Sequence, residues 1–147
     1  MSDVLGHTER MLGALWGAVV GDALGVPVEF CGRDARRKDP VTDMRGYGTH
    51  NQPPGTWSDD SSLILCTVDS LINHEFDLND MGRRFVRWYR EGLWTARGRV
   101  FDIGGTTLRS IRRLEQGVDP ETAGDSDENS NGNGSLMRIL PIALRFA

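Results

Sequence analysis

The sequence is poor in the residues from which several classes of protein are built. It has two cysteines and three histidines among 147 residues, too few cysteines for a disulfide framework. His7, His50 and His74 show no HxxxH or HExxH spacing, so we expect each to be a surface or hydrogen-bonded histidine. Basic residues number 17 against 21 acidic ones, for a net charge of −4. Because nucleic-acid surfaces are built from clustered lysine and arginine, this balance argues against such a partner.

The sequence also lacks an obvious membrane or export segment. Its best apolar stretch, residues 13–20, is shorter than the roughly 18 residues of a membrane span and is soon followed by Asp22. Asp3 and Glu9 precede the first arginine, which is the wrong charge for a signal peptide. We therefore expect a cytoplasmic protein with reduced thiols and without a membrane partner.

Glycine, in contrast, is abundant: 18 of 147 residues is about 12%, against an average near 7%. Gly13, Gly17, Gly21 and Gly25 recur every four residues along the first predicted helix, at 8–23. Each glycine inside a helix costs roughly 1 kcal/mol relative to alanine. The spacing therefore indicates that another backbone or a ligand lies close to that face, and tight packing of a second helix is the simpler interpretation.

Apolar residues at helical spacing predict an all-α chain. Further helices are expected at 58–73, 80–91, 106–116 and from about 135 onward. We expect Thr8, Ser58 and Asn79 to cap the first three helices. Between 26 and 57 the sequence predicts a long loop with at most a short strand at 27–30.

The predicted fifth helix is apolar almost all round, so we expect it to be buried on most sides and kinked at Pro141. An apolar helix that ends at Ala147 is unusual, since termini tend to be polar. This pattern favours a chain that forms the N-terminal portion of a larger fold, or whose end docks into another structure.

The sharpest local pattern is GTWSDDS at 55–61, which places Ser58, Asp59 and Asp60 at the start of the second predicted helix. Adjacent carboxylates repel each other. The helix N-terminus offsets part of that repulsion, and a hard divalent cation such as Mg²⁺, Mn²⁺ or Ca²⁺ would offset more. The simpler alternative is a serine cap followed by acids that favour the first turn. Three ligands also do not fill a coordination sphere of six or more.

Two glycine-rich segments lead into predicted helices. Asp102-Ile-Gly-Gly precedes the fourth helix, and Asn131-Gly-Asn-Gly-Ser precedes the fifth. Free backbone N–H groups at a helix start favour an anion such as phosphate. Neither segment fits the Walker P-loop or the GxGxxG pattern, and ordinary loop punctuation is the alternative for each.

Taken in order, four segments resemble the ADP-ribosylglycohydrolase family, which includes the dinitrogenase reductase-activating glycohydrolases. The matching segments are GAVVGDALGVPVE at 17–29, GTWSDDS at 55–61, FDIGGTT at 101–107 and NGNGSLMR at 131–138. The resemblance implies a multi-helix orthogonal bundle in which residues 1–147 form the N-terminal part of a single domain. A later Asp-x-Asp-Ser/Thr motif, which completes the family's metal centre, does not occur in this chain.

The resemblance also implies a reaction, which is hydrolysis of the glycosidic bond between ADP-ribose and a modified protein side chain or a related conjugate. A binuclear magnesium or manganese centre would assist it. Ser58, Asp59 and Asp60 match the family's metal ligands, and Glu29 joins Asp59 and Asp60 as the candidate catalytic acids. The residues that would embrace ADP-ribose are Asp102, Gly104, Gly105, Asn133, Gly134, Ser135 and Met137.

Two interpretations stay open at this point. One is an ADP-ribosyl hydrolase, or a fragment of one that lacks the later acidic motif, with a homo-oligomer or a complementing fragment as its expected partner. The other is a non-catalytic ADP-ribose-binding or structural member of the same fold, since the resemblance also reaches lens crystallins.

Overall fold

The computed structural model describes residues 6–146, and every regular element within that range is helical. The helices are α1 (His7–Gly25), α2 (Arg33–Lys38), α3 (Asp59–Asn73), α4 (Leu78–Glu91), α5 (Gly105–Glu115) and α6 (Leu140–Phe146), with a single 3₁₀ turn at Val26–Val28. The all-α prediction is confirmed. Asp3 and Ala147, on which two of the sequence interpretations depend, lie outside the described residues.

The core lies where α4 packs between α3 and α5. Leu63 and Cys66 of α3 meet the apolar face of α4, on which Trp88 is fully buried. Ile111 contributes from α5. These side chains recur every three or four residues, which is the spacing that places them on one face of each helix.

The helix starts show which side chains satisfy the free backbone N–H groups. Ser58 caps α3 as predicted, and its hydroxyl oxygen accepts from the Asp60 N–H at 3.3 Å. The predictions for α1 and α4 are wrong. The α1 cap is Gly6, whose N–H donates to Glu9 Oε2 at 2.7 Å, and the α4 cap is Asp77, not Asn79.

The segment between α1 and α3 contains no strand in the described structure. The predicted strand at 27–30 is wrong, because Pro27 has no N–H for a ladder and its fixed φ suits the turn that forms there. Thr49 folds back on this turn and donates its N–H to the Pro27 carbonyl at 3.1 Å. Helix α2, short and charged along its length, has no apolar stripe from which the sequence could predict it.

The segment from Ser135 differs from the prediction of one buried, kinked helix. Turns continue to Arg138, and α6 begins at Leu140 with Pro141 in its first turn. A proline clashes with the carbonyl one turn earlier but fits the first turn, so it starts this helix instead of kinking a longer one. The expected burial is also wrong, since Leu136 and Phe146 are 72% and 61% exposed.

Helix α1 is apolar but little buried. The stretch His7–Val28 has a mean hydropathy of 1.5 over an 18-residue window and passes a length-and-composition test for a membrane span, with 17% of that window buried. The apolar stretch is therefore longer than the sequence reading at 13–20 suggested. Core helices and signal sequences pass the same test. The absence of a membrane partner stays an expectation.

Candidate active site

An open cavity of about 880 Å³ lies where α1, the starts of α3 and α5, and the loop before Ser135 come together. The structure brings every site residue named from the sequence to the wall of this one cavity. They are Glu29, Ser58, Asp59, Asp60, Asp102, Gly104, Gly105, Asn133, Gly134, Ser135 and Met137. Their individual roles stay predictions, but their convergence from four separate segments makes this cavity the candidate site.

The glycines of α1 form one side of the cavity. Gly17, Gly21 and Gly25 line it, and a Cβ atom added at any of them would meet no atom within 4 Å. The prediction of tight helix packing along this face is therefore wrong. The alternative, that the face is kept bare for a ligand, agrees with the open space beside it.

Asp22 fastens α1 to the start of α3. Its Oδ1 accepts from Ser58 Oγ at 2.8 Å, and its Oδ2 accepts from the N–H and the hydroxyl of Ser61 at 3.0 and 2.6 Å. A carboxylate at this position satisfies the N–H groups at the helix N-terminus and interacts favourably with its dipole. Sequence reasoning gave Asp22 no role, although it lies in the middle of the first matching segment.

The bond to Asp22 also uses part of the hydrogen-bonding capacity of the Ser58 hydroxyl. The Ser58 hydroxyl proton is donated to Asp22, and its oxygen accepts from the Asp60 N–H. The cap interpretation is thus confirmed for Ser58. Its role as a metal ligand stays a prediction and would use the remaining lone pair.

The acids of the cavity raise one another's pKa. Burial raises the pKa of Asp59 to about 8, and the neighbouring charges of Asp60 and Asp102 add to the shift. Burial also raises the pKa of Asp60 to about 6, with repulsion from Asp22 and Glu29. Both acids therefore stay protonated at a higher pH than an ordinary aspartate does. Such a shift means that they lack a compensating positive charge.

Arg138 is the one basic residue among those that line the cavity. Its guanidinium lies 5.1 Å from the centre of the Phe85 ring. Burial lowers the pKa of Arg138, and the charge of Asp59 opposes that shift. One buried cation does not neutralise the group of acids on the opposite walls.

The two glycine-rich segments meet directly. The cap of α5 is Gly104, which offers no side chain to the first N–H groups of the helix. A Cβ atom on Gly134 would lie 2.6 Å from Thr107 Oγ1, so the loop before Ser135 rests on the first turn of α5. Both segments therefore present backbone to the same part of the cavity, as the anion-site interpretation requires.

His50 joins two of the acids and was not assigned to the site from the sequence. Its Nε2 lies 2.6 Å from Glu29 Oε2 and 3.6 Å from Asp102 Oδ1, and its side chain is 15% exposed. One donor atom from each of the three residues lies within 4.8 Å of the others, a spacing that could hold a metal ion. Burial and the bond with Glu29 raise the pKa of Asp102 to about 7.

No local signal could have found this trio. Glu29 lies 21 residues before His50, and Asp102 lies in a third, distant segment. The three come together only because the loop at 48–50 folds back on the turn that follows α1.

The oxygen-rich donor set fits a hard divalent cation. Asp59 and Asp60 open α3, and Glu29 and Asp102 line the same cavity, near enough for their charges to raise the pKa values of the α3 acids. Carboxylate oxygens are the ligands that Mg²⁺ and Mn²⁺ prefer. A bound cation would also offset the repulsion that adds to the effect of burial on the pKa values of Asp59 and Asp60.

A family model described as ADP-ribosylglycohydrolase matches residues 4–147, and the chain belongs to this family. Among its curated relatives is the ADP-ribosylarginine hydrolase Tri1 of Pseudomonas putida (strain GB-1), 38% identical over 138 residues that cover 92% of this chain and 36% of the relative. Another is the ADP-ribosyl-[dinitrogen reductase] glycohydrolase of Rhodospirillum rubrum, 36% identical over 92% of this chain and 44% of that protein.

A solved structure shares the fold. It is titled "ADP-ribosylglycohydrolase-related protein complex", with a TM-score of 0.75 and 40% sequence identity over 93% of this chain and 42% of that one. The family resemblance and the fold class inferred from the sequence are confirmed. The chain spans less than half the length of these relatives.

Proposed function

We propose that this chain carries the substrate cavity of an ADP-ribosyl hydrolase that depends on Mg²⁺ or Mn²⁺. The observation that supports this most is the convergence of the acids at the start of α3 with the two glycine-rich helix starts in one cavity. A diphosphate-linked ribose needs an acidic, metal-fitting part and an anion-fitting part in one cavity. The volume of about 880 Å³ also falls within the range of pockets for small molecules.

The proposed bound state assigns each wall a task. The diphosphate lies against the backbone of Gly104, Gly105 and Gly134, where free N–H groups favour negative charge. The distal ribose faces Asp59 and Asp60. A divalent ion held by these carboxylates, with Ser58, would orient the ribose hydroxyls and lower the pKa of a bound water.

The proposed reaction breaks the N-glycosidic bond at the ribose carbon. Such a bond breaks through a transition state with positive charge on the ring, which nearby carboxylates stabilise. Glu29 is the candidate to take or give a proton, because it lines the cavity near Asp60, whose pKa its charge helps to raise. The proposed substrate class is an ADP-ribosylated protein side chain, arginine among them, or a related conjugate in the cytoplasm.

The whole enzyme would need more than this chain provides. Ser58, Asp59 and Asp60 do not fill the coordination sphere of even one cation. Further ligands would come from a complementing polypeptide or a second copy of the chain. Helix α1 also presents exposed apolar side chains, among them Trp16, which is 66% exposed. This face is a surface on which such a partner would pack.

Calorimetry tests this proposal. The chain is titrated with ADP-ribose in Mg²⁺ or Mn²⁺ and again in a chelator, with Asp60→Asn and Asp59→Asn as variants. We expect binding that depends on the metal and weakens at least about tenfold in either variant, as losing a charged ligand does. Asp34→Asn is the matched control, because Asp34 lies on α2 with 87% of its side chain exposed.

The pH dependence of metal binding gives a second measurement in the same experiment. Asp59 has a pKa raised to about 8, so between pH 6 and pH 8 it holds a proton that a cation must displace. Asp60, with a pKa of about 6, is about half protonated at pH 6 and adds little above it. Affinity for Mg²⁺ should therefore rise from pH 6 to pH 8 by up to about tenfold per pH unit, mainly through Asp59. Affinity that is unchanged by pH and by both variants would contradict the proposed site.

Turnover separates the two interpretations left open by the sequence. Release of ADP-ribose from an ADP-ribosylated arginine peptide supports the hydrolase. Metal-dependent binding of ADP-ribose with no turnover, even with a complementing C-terminal polypeptide present, would favour a non-catalytic member of the family.

A further inference from the structure

We propose that His50 is a positioning residue that holds the Glu29 carboxylate over Asp102, an inference that rests on the proposed function of the cavity. His50 contacts the acids of two loops that are far apart in the sequence. Glu29 follows the 3₁₀ turn after α1, whereas Asp102 precedes α5. The His50 side chain reaches both, at 2.6 Å from Glu29 Oε2 and 3.6 Å from Asp102 Oδ1.

The backbone around His50 is fixed to the Glu29 side of this connection. Thr49 donates its N–H to the Pro27 carbonyl and its hydroxyl to the Glu29 carbonyl, at 3.1 and 2.7 Å. A Cβ atom at Gly48 would lie 1.7 Å from the Pro27 oxygen, so the two segments are in contact there. The backbone at His50 is therefore fixed against the segment that carries Glu29. From there the His50 ring extends toward Asp102.

Two aromatic side chains flank the imidazole ring of His50. The ring centroid lies 6.1 Å from that of Phe30 and 5.4 Å from that of Phe101. These two residues are the chain neighbours of Glu29 and Asp102, so each acid brings its own aromatic contact. Phe30 and Asp102 have φ values of 59° and 61°, left-handed backbone that non-glycine residues adopt only when the surrounding structure compensates the cost.

The chemistry of Nε2 favours a hydrogen-bond donor over a metal ligand. The same nitrogen faces two carboxylates, and ionised carboxylates only accept hydrogen bonds. A nitrogen that carries the proton of the 2.6 Å bond to Glu29 has no lone pair for a cation. Glu29 also bonds to Asp102, and with 37% of its side chain exposed its carboxylate would lose one of these two partners without His50.

Three variants separate the parts of this role. His50→Phe keeps an aromatic ring between Phe30 and Phe101 but removes the donor. His50→Gln keeps an N–H donor on a side chain that can reach Glu29, and His50→Ala removes both. The matched control is His74→Gln, because His74 lies 3.4 Å from Asp80 on the other side of the core.

Binding of ADP-ribose in Mg²⁺ is the first measurement. We expect His50→Phe to weaken it by about tenfold or more, as the loss of an orienting hydrogen bond does, while the melting temperature stays near that of the parent chain. His50→Gln should recover most of the affinity, and His74→Gln should change nothing. Equal affinity in His50→Phe and the parent would overturn the proposal, and so would a failure of His50→Gln to recover any binding.

Two spectroscopic measurements complete the test and do not depend on ligand binding. Carboxyl ¹³C signals of Glu29 and Asp102 should both move in His50→Phe in the metal-free chain, and neither should move in His74→Gln. Unmoved signals would overturn the proposal. In Mn²⁺-loaded protein with ¹⁵N-histidine, coupling of the label to the metal would show instead that His50 is a ligand.

These measurements also distinguish a failure of the proposed function from a failure of the proposed role of His50. If the parent chain binds no ADP-ribose in either metal, the proposed function fails. The carboxyl signals still decide whether His50 holds the two acids together.

Discussion

Helices α1 and α3 border the same cavity, yet they are buried in opposite ways. Helix α1 is mostly apolar, and Ala23 is its one buried residue among those described. Helix α3 begins with two aspartates and two serines, and eight of its residues are buried, including Asp59. Burial in this molecule therefore does not follow hydropathy alone.

Hydrogen bonding explains the burial of α3. Ser62 Oγ donates to the Ser58 carbonyl at 2.7 Å, and Thr67 Oγ1 donates to the Leu63 carbonyl at 2.8 Å. Ser70 Oγ donates to Asp80 Oδ2 at 2.8 Å. Polar side chains can be buried when each finds a partner, whereas the apolar side chains of Leu12, Trp16 and Val20 on α1 are 51%, 66% and 45% exposed.

The largest expected effect contrasts two tryptophans. Trp88→Ala removes a fully buried side chain between α3 and α5, and we expect it to lower the free energy of unfolding by about 3–5 kcal/mol. Trp16→Ala removes a side chain that is 66% exposed on α1 and should cost less than about 0.5 kcal/mol. Urea unfolding followed by circular dichroism measures both.

A large loss of stability in Trp16→Ala would break this comparison. It would mean that another polypeptide covers the α1 face in solution. Sedimentation of the parent chain and of Trp16→Ala would then show whether that polypeptide is a second copy.

The next effect concerns the bond between the two helices. Asp22→Ala leaves the N–H groups of Ser58 and Ser61 without the carboxylate that accepts from them. Unsatisfied buried donors cost about 1–3 kcal/mol each, and solvent in the open cavity will offset part of that, so we expect a loss of about 2–3 kcal/mol. Asp34→Ala, at an exposed position, is the control and should be nearly neutral.

Amide hydrogen exchange shows whether the loss in Asp22→Ala arises at this junction. Exchange at Ser58 and Ser61 should accelerate more than exchange at Leu63, one turn further into α3. A uniform acceleration along α3 would instead indicate a general loss of stability.

The contrast between α1 and α3 also shows what the sequence could predict. The helices with strong periodicity, α3, α4 and α5, lie within two residues of their predicted bounds. The residues named for the site by the family resemblance all line one cavity, and their roles stay predictions. The burial of α1 and of the last segment was not predictable, because hydropathy shows what a helix could bury and not whether a surface exists to meet it.

The remaining errors come from contacts between distant residues. Asp22 bonds to residues 36 and 39 positions later, and His50 bonds to Glu29 across a loop without any period. No pattern within a short window encodes such pairs. The two wrong caps have local reasons. At α4, both Asp77 and Asn79 are residues that can cap a helix. At α1, the helix begins at His7, before the predicted Thr8, and its cap Gly6 has no side chain.

The smallest expected effect contrasts two glycines of the cavity and tests whether the α1 face is kept bare for a ligand. A Cβ atom at Gly17 would meet no atom within 4 Å, so Gly17→Ala should stabilise α1 by about 0.5–1 kcal/mol. At Gly134, a Cβ atom would lie 2.6 Å from Thr107 Oγ1, so Gly134→Ala should destabilise the chain by about 1 kcal/mol. Thermal unfolding with and without ADP-ribose and Mg²⁺ measures both.

If the open face binds the ligand, Gly17→Ala should raise the melting temperature of the free chain but reduce the further rise that the ligand produces. A ligand-induced rise equal to that of the parent would show that the methyl group enters unused space, and the glycine spacing of α1 would then need another explanation.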